Sequence, residues 1–183
     1  MKKQVLFIQG GGEDGYAADA PMVASLQRAL GDNYTVHYPK MPSSENIMDI
    51  ASKWLSEIGQ QIASAKSDLT ITAHSLGASI LIKYLSEYSI TTPIKGVFLI
   101  APPFWNGDKD WVEPLKLKEG FAGQLPKDIP YFFYHSSDDA EVPFQHFLRY
   151  QEQLPHAIFR KITTGGHQLD NDLSAVARDI SAV

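Results

Sequence analysis

The chain of 183 residues contains no cysteine. That absence excludes a disulfide framework, a thiolate nucleophile and every sulfur-ligated zinc or iron–sulfur site. Excess positive charge is missing too. The formal net charge is −5, whereas a nucleic-acid binder carries a basic face. Long apolar runs are equally scarce: Lys83 interrupts the stretch Ile80–Leu85, and nothing approaches the roughly 20 residues of a membrane span. Lys2 and Lys3 precede only Val5–Ile8 before a glycine cluster, too little for the apolar region of a secretion signal. These absences lead to the expectation of a cytoplasmic protein that binds neither membrane nor nucleic acid. No feature points to a particular protein partner.

What is present is globular in character. Apolar residues make up 44% of the chain. Its length suits one domain over residues 1–183, burying roughly 70% of the surface that the unfolded chain exposes. Short β-rich runs recur at Val5–Gln9, Tyr34–Tyr38, Leu69–Ala73, Ile94–Ala101, Ile129–His135 and Ala157–Thr163. Most are continuously apolar rather than alternating, the pattern of strands buried on both faces. Helical patterns lie between and after them, near 19–30, 45–65, 76–88, 143–153 and 169–181. The second sets Ile47, Ile50, Ala51, Trp54, Leu55, Ile58, Ile62 and Ala65 at three- and four-residue steps, an amphipathic stripe. Strand–helix alternation of this kind predicts right-handed crossovers and an α/β fold: a three-layer α/β/α sandwich around a mainly parallel six-stranded sheet. One excursion, at about 102–128, breaks the rhythm and holds Phe104, Trp105, Trp111 and Phe121. Its aromatics serve either to cover the sheet edge or to line a substrate site.

The sharpest local signal is Ala73-His74-Ser75-Leu76-Gly77, directly after one strand and directly before a helical pattern. A G-x-S-x-G nucleophile elbow demands this strand–turn–helix context. A serine on so tight a turn requires small residues two positions before and after it; Ala73 and Gly77 meet that need. A serine N-cap on an ordinary helix accounts for the same residue. A serine nucleophile needs a base, and the base needs an orienter. Of six histidines, His167 alone follows two glycines in a loop between the last strand and the last helical pattern. An acidic loop, His135-Ser136-Ser137-Asp138-Asp139-Ala140-Glu141-Val142-Pro143, follows the fifth strand. Either aspartate suits the orienter, and the other suits a turn or a cap. The order Ser…Asp…His, each at a strand's C-terminal end, coincides with the edge where open α/β sheets bind ligands.

These motifs resemble the α/β-hydrolase superfamily over nearly the whole chain, and most closely the small, minimal-sheet serine hydrolases related to retinoblastoma-binding serine hydrolases. The A-H-S-L-G stretch matches the family elbow and implies Ser75 as nucleophile. The D-x-x-V-P pattern at 139–143 implies Asp139 rather than Asp138 as the acid, and Gly165-Gly166-His167 implies His167 as the base. The family's oxyanion loop usually reads His-Gly; here it is Gln9-Gly10-Gly11-Gly12. The resemblance implies backbone donors at Gly11 and Leu76, and these tolerate the change. It further implies hydrolysis of an ester, thioester or amide of a small molecule through an acyl-enzyme, with no cofactor. Phe104, Trp105 and Trp111 are the expected substrate-lining side chains.

Three other readings compete with this one. Gly10-Gly11-Gly12-Glu13-Asp14-Gly15 has the spacing G-x-G-x-x-G of a dinucleotide site. However, the second strand ends in Thr35-Val36-His37-Tyr38-Pro39 without an acidic residue for a ribose, and Glu13 and Asp14 oppose a pyrophosphate. A metal site from His135, Asp138 and Asp139 has no diagnostic spacing. The main alternative is a catalytically silent α/β-hydrolase fold that acts as a binding or regulatory protein, since fold alone does not fix activity.

Overall fold

Continuous runs of valine, isoleucine, leucine and phenylalanine become the strands of one sheet in the computed structural model, which describes residues 2–44, 46–65, 68–106 and 110–183. The first half runs β1 (Lys3–Ile8), α1 (Gly15–Leu30), β2 (Tyr34–His37), α2 (Ile47–Ala63), β3 (Leu69–His74) and α3 (Ser75–Glu87). The second half runs β4 (Ile94–Ile100), α4 (Phe121–Gln124), β5 (Tyr131–Ser136), α5 (Gln145–Gln153), β6 (Ile158–Ile162) and α6 (Ser174–Ser181). Strand order is β2-β1-β3-β4-β5-β6. Every pairing is parallel, so a sheet expected to be mainly parallel is parallel throughout.

Successive side chains of a strand point to opposite faces, and two cores result. Leu6, Ile8, Val97, Leu99, Tyr131 and Phe133 pack on one face with Trp54, Ile58 and Ile62 of α2 and Ile80 and Leu81 of α3. Val5, Phe7, Phe98, Ile100, Phe132 and Tyr134 pack on the other with Met22 and Leu26 of α1 and Val176 and Ile180 of α6. The predicted three layers are therefore present. Burial on both faces holds for β3 and β5, in which all six residues are buried. It fails at the sheet edges: β6 has no fully buried residue and β2 only one, because an edge strand has a neighbour on one side only.

Helix limits depart from the periodic pattern at two places. The first helix begins at Gly15, not 19. Its opening turn is held by the Ala18 N–H on the Asp14 carbonyl at 2.8 Å and by Tyr16 stacked on Tyr38. The last pattern, expected from 169, splits. Leu169, Asp170 and Asn171 have positive φ, and α6 starts only at Ser174, whose N–H donates to Asp172 Oδ1 at 2.9 Å.

The aromatic excursion contains a 3-10 turn at Asp110–Leu115 and the short α4. Polar anchors fasten it to the body. Buried Lys83 donates to the Lys116 carbonyl at 2.6 Å and pairs with Glu87. The Tyr150 hydroxyl donates to the Pro103 carbonyl at 3.0 Å. No described helix is long and apolar enough to cross a membrane.

Candidate active site

The loops after β1, β3, β5 and β6 meet at the C-terminal edge of the sheet. Between β3 and α3 the chain turns within one residue, and Ser75 takes a φ of 49°. A non-glycine residue there costs about 1–2 kcal/mol, strain of the kind that accumulates at functional sites. Gly77 shows why the turn needs a small residue. A Cβ at that position would lie 2.2 Å from the Gln9 carbonyl oxygen and 2.7 Å from Ile8 Cγ2. Gly77→Ala should therefore lose about 3 kcal/mol of stability, at the upper end of overpacking costs. An unchanged urea midpoint would contradict that reading of the turn.

The loop after β5 separates the roles of the two aspartates. Asp139 Oδ1 accepts the backbone N–H groups of Glu141 and Val142, both at 2.9 Å. Its Oδ2 accepts His167 Nδ1–H at 2.8 Å and lies 3.3 Å from His135 Nε2. Burial on its own would raise the Asp139 carboxyl. Hydrogen bonds from His135, His167 and the Val142 N–H, with the charge of His167, outweigh it and hold the group well below the usual carboxylate range. Asp138 instead clasps the histidine loop. It accepts the Gly166 N–H at 2.9 Å, the Gly165 N–H at 3.3 Å and the Ser136 hydroxyl, and these bonds lower its carboxyl too.

Ser75, Leu76, Gly11, Gly12 and His167 border a cleft of about 560 Å³, together with Trp105, Leu115, Val142 and His146. Gly11 sits against the elbow so closely that a Cβ there would be 2.8 Å from Leu76 Cδ2. This brings the backbones of the two expected oxyanion donors to one wall. Among the described residues no hydrogen bond engages the Ser75 hydroxyl; such bonds often tighten only when substrate arrives.

The expected substrate-lining aromatics have different fates. Trp105 faces the cleft, and its Nε1–H donates to Ser79 Oγ at 3.0 Å. Phe104 turns inward: its ring packs on Phe121 and Tyr150, away from the cleft wall. Its position follows from tertiary packing, for which a single aromatic carries no local signal. The side chain of Trp111 lies outside the described residues.

His146, passed over in the sequence as one residue of a helical pattern, borders the cleft. Its Nδ1 accepts the Phe104 N–H at 2.7 Å, so the ring is neutral with its proton on Nε2. Burial, with Arg149 and His135, pushes this imidazole below its ordinary value. Buried His135 was also missed as a partner of Asp139. It spends Nε2–H on the Val142 carbonyl at 2.8 Å and on Asp139, and among the described residues its Nδ1 has no partner. His135 and Asp139 are thus committed to each other. Among the described residues no group of three or more His, Asp or Glu is placed to hold a metal ion.

Comparison with known structures places this geometry in a fold. A hydrolase from Rhodococcus sp. strain RHA1, acting on 2-hydroxy-6-oxo-6-phenylhexa-2,4-dienoate, superposes with a TM-score of 0.76 at 15% identity, covering 99% of this chain and 90% of its own. Est1E from Butyrivibrio proteoclasticus gives 0.71 at 16% identity over 99% and 86%. A protein from Xanthomonas campestris, described as a hydrolase of the α/β superfamily, gives 0.69 at 16% identity over 100% of both chains. At such identities the likeness concerns the fold alone. No curated protein sequence matches the chain. The serine hydrolase family model matches residues 24–173, a span that takes in the elbow, the acidic loop and the histidine loop. With that match and the α/β-hydrolase sheet, the chain belongs to the serine hydrolase family.

Proposed function

We propose that the protein hydrolyses an ester, thioester or amide of a small molecule through an acyl-enzyme on Ser75, in the manner of a carboxylesterase and in the cytoplasm. The observation that carries this reading is the 2.8 Å bond from His167 Nδ1 to Asp139, with His167 and Ser75 on one cleft. Donating Nδ1–H to the carboxylate leaves the lone pair of His167 on Nε2. There it takes the Ser75 proton as Oγ attacks the carbonyl carbon. The oxyanion that forms is met by the N–H groups of Gly11 and Leu76, and one such donor is worth about 2.7–4 kcal/mol. Collapse breaks the bond to the leaving group, which departs with the proton from His167. Water then attacks the acyl-serine, again giving its proton to His167, and Ser75 regains its hydrogen as the acid leaves. No cofactor enters these steps.

Rapid mixing with an activated nitrophenyl ester tests this reading. The expected result is a burst of about one equivalent of nitrophenol, with the acyl group recovered on the Ser75 peptide after acid quench. Turnover with the acyl group on another residue, or none at all, would overturn it; the latter is what a silent fold gives.

Trp105, Leu115 and Val142 make part of the cleft apolar, which suits an acyl chain. Trp105→Ala should change the ratio of kcat/KM for long against short acyl esters by about tenfold, the scale of a small difference in apolar contact. A chain-length series with equal ratios in variant and parent would remove Trp105 from substrate contact.

A further inference from the structure

Asp19 and His74 take no part in the steps above, yet their hydrogen bonds reach three of the loops that build the site. Asp19, on α1, is 1% exposed, and His74, next to Ser75, is 2% exposed. Asp19 Oδ2 accepts the Gly10 N–H at 2.6 Å and lies 2.9 Å from His74 Nδ1. The other ring nitrogen, His74 Nε2, lies 3.1 Å from the backbone carbonyl oxygen of His167. The two histidine rings stand 4.6 Å apart. Packing around the junction is tight: a Cβ on Gly10 would be 2.9 Å from His74 Nδ1, 3.3 Å from Asp19 Oδ2 and 3.3 Å from Ser75 Cβ.

Hydrogen-bond accounting constrains the pair. A carbonyl oxygen only accepts, so Nε2 must carry a proton to bond His167. A carboxylate also only accepts, so Nδ1 must carry one as well. The ring then donates on both sides as a cation balanced by the Asp19 carboxylate. Taking such a pair out of water is costly, and apolar side chains of similar volume would fill the space without that cost. What apolar side chains lack is the directional link from Gly10, through the elbow, to the backbone of His167.

We propose that the Asp19–His74 pair is a positioning unit for the hydrolytic reaction. It ties the loop bearing Gly11 and the loop bearing His167 to the elbow, so that the oxyanion donor and the base stay in register with Ser75. The proposal rests on the serine-hydrolase reading above. A misplacement near 1 Å at a reacting group can cost about 100-fold in rate, and neither side chain borders the cleft, so the pair's contribution belongs in kcat.

Asp19→Asn tests this, because it keeps the side chain's shape and removes its charge. The amide oxygen can still accept the Gly10 N–H, but His74 then keeps only one of its two ring protons and releases one loop. The expected result is a kcat about 10- to 100-fold lower with KM changed less than about threefold, and fluorophosphonate labelling of Ser75 slowed in parallel. Nitrogen-15 NMR of the parent enzyme provides a second measurement that needs no variant. Both ring nitrogens of His74 should carry protons, as their two acceptors require. A parent enzyme that neither labels nor turns over would remove the reading beneath the proposal. Normal labelling of the parent with parental kcat in Asp19→Asn, or a singly protonated His74 ring in the parent, would overturn the positioning role alone.

Discussion

Replacing Ser75 by alanine should lower kcat on an activated ester by about 10⁶-fold, the cost of removing a serine nucleophile from an assembled triad. The expected magnitude follows from the geometry. In the proposed mechanism, loss of the hydroxyl leaves His167 no proton to take, and no covalent intermediate forms. In that mechanism the N–H groups of Gly11 and Leu76 still polarise a bound carbonyl, so a small residual rate over water is expected. Stability should change little. Among the described residues the hydroxyl has no hydrogen-bond partner to lose, and alanine shares the serine's cost at a φ of 49°. A thermal midpoint within a few degrees of the parent, alongside lost turnover, separates a chemical role from a structural one.

Asp139→Asn should lower kcat by about 10⁴-fold, for a reason visible in the hydrogen bonds. Oδ1 accepts two backbone N–H groups, from Glu141 and Val142. The amide oxygen of asparagine must take that position, which leaves the NH2 group at the Oδ2 position. A donor then faces His167 Nδ1. The imidazole can answer only by accepting there and moving its proton to Nε2, where it can no longer serve as a base toward Ser75. The same NH2 group meets His135 Nε2–H, donor against donor.

Stability should follow pH in a matching way. The folded carboxyl of Asp139 lies below its unfolded value, near about 3.9. Its ionisation therefore stabilises the fold fully above that range, and the contribution is lost as pH falls through the folded value. The stability gap between the parent and Asp139→Asn should be constant above about pH 5 and narrow toward about pH 2. A gap independent of pH would contradict the hydrogen-bonded carboxylate.

The placement of Ser75, Asp139 and His167 at strand ends was legible in the sequence because each element signals locally. A-H-S-L-G marks a strand–turn–helix, Gly165-Gly166-His167 marks a loop, and continuous apolar runs mark central strands. The interior strands β3 and β5 followed their apolar runs into full burial. Periodicity could not show which runs become sheet edges, so the exposure of β6 was not foreseen. Nor could it show the break before α6, which depends on a run of left-handed residues closed by the Asp172 side chain. The residues that sequence reasoning missed around the site are those defined by long-range contact. His146 meets the Phe104 N–H, 42 positions away. Asp19 meets His74, 55 positions away, and in the sequence it reads as one residue of a helix. The inward turn of Phe104 is of the same kind: its partners Phe121 and Tyr150 come from other elements.

Stoichiometric labelling with a fluorophosphonate, followed by peptide mass mapping, tests whether Ser75 is an activated nucleophile. Such a probe reacts with an activated serine and leaves an ordinary one untouched. One phosphonyl group per chain is expected, on Ser75, together with loss of ester turnover in proportion to labelling. Absence of label on Ser75, or full turnover after Ser75 has been labelled, would contradict that role.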